Sequence, residues 1–190
     1  FFIVFLITAA AAAVYLISTI NSSIQQSTRI KEAEEKIINQ LKLIRQAEQA
    51  YISVNGTYTS NWDSLVNFVR NDVFFVTEKS ETIIPQPYGK DSVIVNIDTL
   101  GTVSVFDSLF AKKPNFDLDR LPYVPGYKNV KFKVYTDKID KSGQMVSVIE
   151  VWNPKPVSPD RDEDSEYNSK KPLRFGSQFT VTTSGNWGDE

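Results

Sequence analysis

Carboxylates and hydroxyls are the side chains that could carry chemistry in this sequence, because its 190 residues include no His and no Cys. Without imidazole or thiol groups, His- or Cys-ligated metals, Ser–His and Cys–His nucleophile pairs and disulfides are all excluded. An enzyme would have to work with carboxylates, Lys, Tyr or Ser alone. No glycine loop of the phosphate-binding or dinucleotide-binding type occurs either. We therefore expect a protein that is not an enzyme and that holds no cofactor.

One acidic stretch resembles a metal-binding loop. Asp160, Asp162 and Asp164 alternate as the first ligands of an EF-hand calcium loop do. The sixth position of that loop is Ser165 where the motif needs Gly, and the twelfth is Lys171 where it needs Glu. A looser calcium site at the three aspartates is one interpretation, and a solvated acidic loop is the favoured one.

The charge balance excludes one class of partner. The formal net charge is −2, and the Lys and Arg residues are scattered along the chain. Nucleic-acid binding requires a clustered positive field. We therefore expect no nucleic-acid partner.

The first twenty residues, FFIVFLITAAAAAVYLISTI, carry no charge. A helix of that length spans roughly 30 Å, the thickness of the hydrocarbon core of a bilayer. Residues 1–20 therefore predict a segment that lies in a membrane or in a filament core, with the lipid bilayer and other membrane helices as partners. Small residues let helices approach closely in lipid, which makes a run of five alanines a candidate helix contact, a plain membrane anchor being the alternative: Ala9, Ala10, Ala11, Ala12 and Ala13.

The same helix is predicted to continue as an amphipathic segment over residues 29–54. Ile30, Ile37, Ile44 and Tyr51 recur every seven residues, which places them on one face. That face could pair with another helix, or it could be the spine on which a sheet packs, and its width favours the spine. The helix is expected to end at 55–56, where Asn-Gly favours a left-handed cap.

Residues 55–190 predict a head of α+β class, so that the chain divides into a 1–54 helix and this head. A short helix is expected from an N-cap at Ser60 to near Asn71. Alternating β-branched and aromatic residues then predict an antiparallel sheet with hairpin turns at 100–101 and 141–143. A Pro-rich acidic loop covers 153–172. The predicted strands are 73–77, 92–98, 102–107, 130–136, 145–152 and 178–183.

Several segments resemble the type IV pilin-like proteins, which include pilins and the pseudopilins of secretion systems. The resemblance is carried by Phe1, the uncharged helix, IRQAEQAYISVNGTY (44–58) and NWDSLV (61–66). It implies a long N-terminal helix that ends in an NGxY-like turn, followed by an antiparallel sheet packed on that helix. The family usually carries Glu at its fifth position, where this chain has Phe5.

A second resemblance is looser. The segments at 97–110, 121–126 and 184–187 resemble single-span envelope proteins of gliding-type bacteria. Two functions are therefore expected. The first is a membrane-anchored pilin-like subunit of a bacterial filament or secretion pseudopilus. The alternative is a single-span periplasmic accessory of an inner-membrane secretion or motility machine, whose head binds a partner protein. Either function implies an inner-membrane protein with a periplasmic head, or a surface filament.

Overall fold

The computed structural model describes residues 2–84, 92–111, 116–158 and 172–188, with the backbone alone at 3–7, 9–11, 13–14 and 92. The chain is of α+β class, as predicted, with a long N-terminal helix and antiparallel sheets. The elements in chain order are α1 (Phe2–Asn55), α2 (Trp62–Asn71), β1 (Val73–Ile84), β2 (Ser92–Ser104), α3 (Val105–Phe110), a 3₁₀ turn (Leu118–Arg120), β3 (Lys133–Lys141), β4 (Gln144–Trp152) and β5 (Arg174–Gly176).

Helix α1 is continuous over 54 residues. It ends where the sequence predicts: Gly56 adopts a φ of +74°, and its N–H donates to the carbonyl of Ile52 at 2.8 Å. Among the described residues, however, no helix is both long enough and apolar enough to span a bilayer. The expected membrane crossing over 1–20 is therefore not supported by the structure.

The chain forms two compact units, and the first comprises residues 1–43 and 122–190. Here residues 30–43 of α1, the part of this segment that buries side chains, pack on a three-stranded antiparallel sheet, in the order β3-β4-β5. Burial of apolar side chains of the helix, the sheet and its flanking loops supplies the driving force for folding of the unit. Its core combines three helix residues with apolar residues of the sheet and its flanking loops: Ile37, Leu41, Leu43, Val124, Phe132, Val148, Ile149, Val151, Leu173 and Phe175.

The turn between β3 and β4 confirms one predicted hairpin. Lys141 pairs with Gln144, and the two residues between them have positive φ angles, +57° at Ser142 and +84° at Gly143. Two positive angles define a type I′ turn, whose twist matches that of the flanking strands. The carboxylate of Asp140 accepts the Gly143 N–H at 2.7 Å, which stabilises the turn.

The predicted strand at 178–183 is wrong. The third strand of the sheet is instead β5, which pairs with the end of β4. Downstream, the Ser177 hydroxyl accepts the N–H groups of Phe179 and Thr180 at 3.2 and 3.3 Å. Hydroxyls close to the backbone compete with sheet hydrogen bonds in this way, and the segment therefore turns although its sequence alternates.

The second unit comprises residues 44–121. It contains the last turns of α1, helices α2 and α3, and the β1–β2 ribbon. Its core is formed by apolar residues of the three helices, of the 3₁₀ turn and of the C-cap of that turn: Ile44, Ala47, Ala50, Leu65, Phe68, Val69, Val105, Phe110, Leu118 and Leu121. The predicted N-cap of α2 is wrong by one residue, since the Asn61 side chain, and not Ser60, accepts the N–H groups of Asp63 and Ser64.

Strands β1 and β2 form an isolated antiparallel ribbon, and the predicted turn at 100–101 is wrong. Leu100 is the extra residue of a bulge opposite Val76 and Thr77, and β2 continues past it. The predicted strand at 102–107 also ends early. The Ser104 hydroxyl caps the backbone N–H of Asp107, and this Ser-x-x-Asp start opens α3.

Candidate functional site

The exposed stretch of α1, residues 15–29, is the first candidate surface. Every side chain in this stretch is exposed, including the large apolar ones. Ile17, Ile20 and Ile24 are spaced i, i+3 and i+7, so they share one face, which we call the exposed stripe. Their side chains are 57–60% exposed. A helix face of this kind is available for packing against another helix.

The exposed stripe does not continue the buried face of the same helix. At 100° per residue, the stripe lies roughly 120° around the helix from Ile37 and Leu41. Those two residues are fully buried in the first unit. The helix therefore carries two apolar faces, and only one is used by its own core.

Four hydroxyl groups in the exposed stretch donate hydrogen bonds to carbonyls of the same helix. Thr19 donates to the Tyr15 carbonyl at 2.9 Å, and Thr28 donates to the Ile24 carbonyl at 2.9 Å. Ser22 and Ser23 both donate to the Thr19 carbonyl, at 2.8 and 3.1 Å. Such bonds let Ser and Thr enter apolar surroundings without unpaired donors.

The heptad residues singled out in the sequence lie on the buried side of α1. Ile37 and Ile44 are fully buried, one in each unit, whereas Ile30 and Tyr51 are half-buried. The ring of Tyr51 packs edge-on against Phe68 of α2, with centroids 5.1 Å apart. This burial is what the spine interpretation predicts.

The alanine run is only partly described. Ala12 is exposed. The side chains of the other four candidates, Ala9, Ala10, Ala11 and Ala13, lie outside the described residues. The alanine contact therefore stays a prediction.

A buried carboxyl group connects the end of α1 with the turn that follows. Glu48 is 1% exposed, and its Oε2 accepts the backbone N–H of Thr59 at 3.2 Å. Burial raises the pKa of this carboxyl to about 8, and the hydrogen bond from Thr59 offsets part of that rise. Burial, followed by the nearby Glu48 carboxylate, raises the pKa of the Tyr58 hydroxyl. The carboxyl group thus holds the NGTY turn against the helix.

Sequence reasoning missed Glu48, although a signal was present. Its spacing from Leu41, Ile44 and Tyr51 follows the helical repeat, which places a carboxyl on the apolar face. A charged residue at such a position is almost never fully buried unless it is paired. The spacing therefore marks Glu48 as a carboxyl on the apolar face, but it does not identify the hydrogen-bond partner that allows its burial.

The acidic calcium candidate cannot be placed. Asp160, Asp162 and Asp164 lie outside the described residues. Within the described segments, no three acidic side chains come together as metal ligands would. The calcium site stays a prediction.

A polar cleft of about 390 Å³ lies at the end of β5, lined by Arg174, Gly176, Ser177, Thr180, Thr182, Ser184, Gly185, Asn186 and Gly188. The Asn186 side chain closes one wall, since its Oδ1 accepts the Arg174 N–H and its Nδ2 donates to the Pro172 carbonyl, both at 3.0 Å. Arg174 is also ion-paired with the buried Glu150. Its charge is therefore engaged by the protein.

The β1–β2 ribbon is the second candidate surface. Nearly all of its described side chains are exposed, and eleven of the large exposed apolar residues of the chain lie on it: Val73, Phe75, Val76, Ile83, Ile84, Val93, Ile94, Val95, Ile97, Leu100 and Val103. Two-stranded ribbons bury too little area to be stable alone in water.

Comparisons with protein-family models, with curated proteins and with solved structures found no match to this chain.

Proposed function

We propose that this chain is a non-enzymatic, pilin-like subunit of a bacterial envelope assembly, a filament or a secretion pseudopilus, that associates through helix–helix packing. The observation that carries the proposal is that two parts of α1 differ in the exposure of their apolar side chains. One uninterrupted helix exposes apolar side chains over residues 15–24 and buries apolar side chains over 37–50. The second part belongs to the folded units, and the first is left for partners.

The energetics of the exposed stripe support association. Removing a large aliphatic side chain from water contributes about 1.5–3 kcal/mol. Three such side chains on one face therefore favour a partner helix in an aqueous setting. In a bilayer the same stripe would act through close packing, because lipid offers no hydrophobic driving force between helices.

The membrane-anchored form of the proposal is derived from the sequence of residues 1–20. That segment would lie in the inner membrane before assembly, and in the filament core afterwards. Extraction with alkaline carbonate tests this part separately. We expect the protein to remain in the membrane pellet, and its release into the supernatant would contradict the anchor.

The exposed stripe also fits a second candidate function, a fixed single-span accessory of a secretion or motility machine. In this alternative the exposed stripe packs against a helix of a multi-span partner.

Shearing of intact cells separates the two functions. A filament subunit is recovered in long sheared filaments, whereas an accessory is recovered in a detergent-solubilised complex with multi-span proteins. In either case Ile24→Asp, which places a charge in the exposed stripe, is expected to abolish recovery of the assembly. Gln26→Asp is the matched control, because it places the same charge two residues away on another face of the helix. Equal recovery of both variants would contradict assembly through the stripe.

A further inference from the structure

The two faces of the β1–β2 ribbon differ in character. Paired residues of an antiparallel ribbon share a face, and faces alternate along each strand. One face carries the pairs Ser80–Asn96 and Glu78–Asp98 and is polar over its middle. The other carries the pairs Lys79–Ile97, Glu81–Val95 and Ile83–Val93. We call this second set the apolar ribbon face.

The apolar ribbon face is exposed, and it carries one ion pair beside its aliphatic residues. Ile83, Val93, Val95 and Ile97 are 46–63% exposed. The Lys79 Nζ lies 2.6 Å from a Glu81 carboxylate oxygen. In the Lys79–Ile97 and Glu81–Val95 pairs, both aliphatic residues are on β2 and both charges are on β1. Over these two pairs the face is therefore divided lengthwise into an aliphatic half and a half with one cation and one anion.

This division selects a self-complementary arrangement. Consider two copies whose apolar ribbon faces oppose each other and are related by a two-fold axis that lies between the faces and runs perpendicular to the strands. The axis crosses the strands between the Lys79–Ile97 pair and the Glu81–Val95 pair. It places β2 over the β2 of the second copy, so that Ile97 meets Val95. It also places Lys79 of each copy over Glu81 of the other. Aliphatic area is covered by aliphatic area, and each charge gains an opposite charge on the second copy in addition to its ion pair within β1.

The alternative symmetric arrangement is unfavourable. A two-fold axis parallel to the strands lays β1 over β2. Lys79 and Glu81 would then face aliphatic side chains, which removes water from both charges without supplying a new partner. The placement of the charges therefore distinguishes one register from the other, as an isologous interface requires.

We propose that the apolar ribbon face is a homotypic docking surface, on which two copies of this chain pack ribbon to ribbon with Lys79 opposite Glu81 in both directions. The marginal stability of a two-stranded ribbon in water supports a cover of this kind. The face comprises six side chains, fewer than the roughly 20–30 residues that each partner contributes to a standard interface. The contact is therefore weak in isolation and forms where copies are concentrated.

Charge reversal tests the register in the full-length protein in detergent. Lys79→Glu alone sets two acidic residues opposite each other, and Glu81→Lys alone sets two basic ones. Each variant is expected to lower ribbon dimerisation by about tenfold, since two attractive pairs become repulsive. Mixing the two variants restores attraction at both pairs and is expected to restore dimerisation. A mixture that associates no better than either variant alone would overturn the proposal.

Crosslinking reads the contact directly, because the chain has no native Cys. Facing sheets lie roughly 10 Å apart, beyond the reach of a disulfide, so a short bismaleimide is the probe. Val95→Cys mixed with Ile97→Cys should crosslink between copies. Ile94→Cys mixed with Asn96→Cys, on the same strand with the same spacing but the opposite face, should not. Equal crosslinking from both faces, or capture of another protein without a self-product, would overturn the proposal.

The contact is separable from assembly through α1. Repeating the crosslinking in the Ile24→Asp background removes helix packing and leaves the ribbon unchanged. Crosslinking that persists there supports the ribbon contact even if the filament proposal fails. Crosslinking that disappears there and does not return when the protein concentration is raised assigns the proximity to α1 and overturns the ribbon contact. Circular dichroism melting of each variant checks that these exposed substitutions leave the fold intact.

Discussion

The backbone N–H of Thr59 donates to the buried carboxyl of Glu48 across eleven residues of chain. The bond closes the NGTY turn onto the last turns of α1. Because the carboxyl is 1% exposed, its ionisation opposes its burial. The turn and the protonation state of one side chain are therefore coupled.

This coupling predicts a pH dependence of stability. The pKa of Glu48 is raised from 4.5 to about 8 on folding. Between these values the folded state holds a proton that the unfolded state releases. The contribution of this group is therefore fully present below pH 4.5 and is lost as the pH rises through about 8, by up to about 1.4 kcal/mol per pH unit.

Denaturant unfolding at pH 5, 6, 7 and 8 measures this dependence. Glu48→Gln keeps an acceptor for Thr59 and cannot ionise, so it should flatten the decline and equal or exceed the wild type at pH 8. Glu35→Gln, on an exposed part of the same helix, should leave the slope unchanged. Parallel curves for the wild type and Glu48→Gln would contradict the assignment.

The two faces of α1 predict losses of stability of different size from the same substitution. Ile37→Ala removes a fully buried side chain and should lower the free energy of unfolding by about 2–5 kcal/mol. Ile24→Ala removes one that is 59% exposed and should change it by less than about 0.5 kcal/mol. Both are Ile→Ala changes in one helix, so helix propensity cancels. Thermal or denaturant unfolding measures the difference, and equal losses would show that Ile37 is not part of the core.

Two glycines of the first unit with similar backbone angles predict different tolerance. Gly176 has φ +80°, and a Cβ there would lie 2.0 Å from the Ile149 carbonyl oxygen. Gly126 has φ +87° and open space around the same position. Gly126→Ala should cost only the left-handed backbone strain, about 1–2 kcal/mol. Gly176→Ala should cost clearly more, because β4 must move, and similar melting temperatures for the two variants would refute this.

Two ion pairs at different depths predict unequal losses. Glu150 is 6% exposed at its side chain, so Arg174→Ala leaves a buried carboxylate without its partner and should cost about 3–5 kcal/mol. The Arg70–Asp119 pair is 51% and 75% exposed, and Asp119→Ala should cost less than about 1 kcal/mol. Unfolding in 0.1 and 1 M salt completes the comparison, since only the exposed pair should be screened.

Local signals predicted the parts of the fold that depend on local physics. The recurrence of Ile30, Ile37 and Ile44 at intervals of seven residues predicted the buried face of α1, because a helix has one fixed period. Gly56 predicted the helix end because few residues adopt its φ. The turn at 142–143 followed from the same preference for positive φ.

The misses depend on competition between local and longer-range hydrogen bonds. Leu100 and Gly101 have turn-like composition, but pairing with β1 on both sides holds them in a bulge. Alternation at 178–183 suggested a strand, yet the Ser177 hydroxyl takes the backbone donors first. The burial of Glu48 depends on a turn eleven residues away. Composition could not reveal which of these interactions would win.

The exposed stripe and the buried face of α1 are offset in angle, so the number of helical residues between them sets the direction in which the stripe points. A single Ala inserted between Ser27 and Thr28 lies between the two faces and disturbs neither. It would nevertheless rotate the stripe by about 100° relative to the sheet that fixes the rest of the helix. A four-residue insertion would return the stripe to within about 40° and lengthen the helix by about 6 Å. The direction of the stripe and its distance from the first unit, which are linked in the native chain, can thus be varied separately. The unfolding of the first unit should be the same in both insertion variants and serves as the reference.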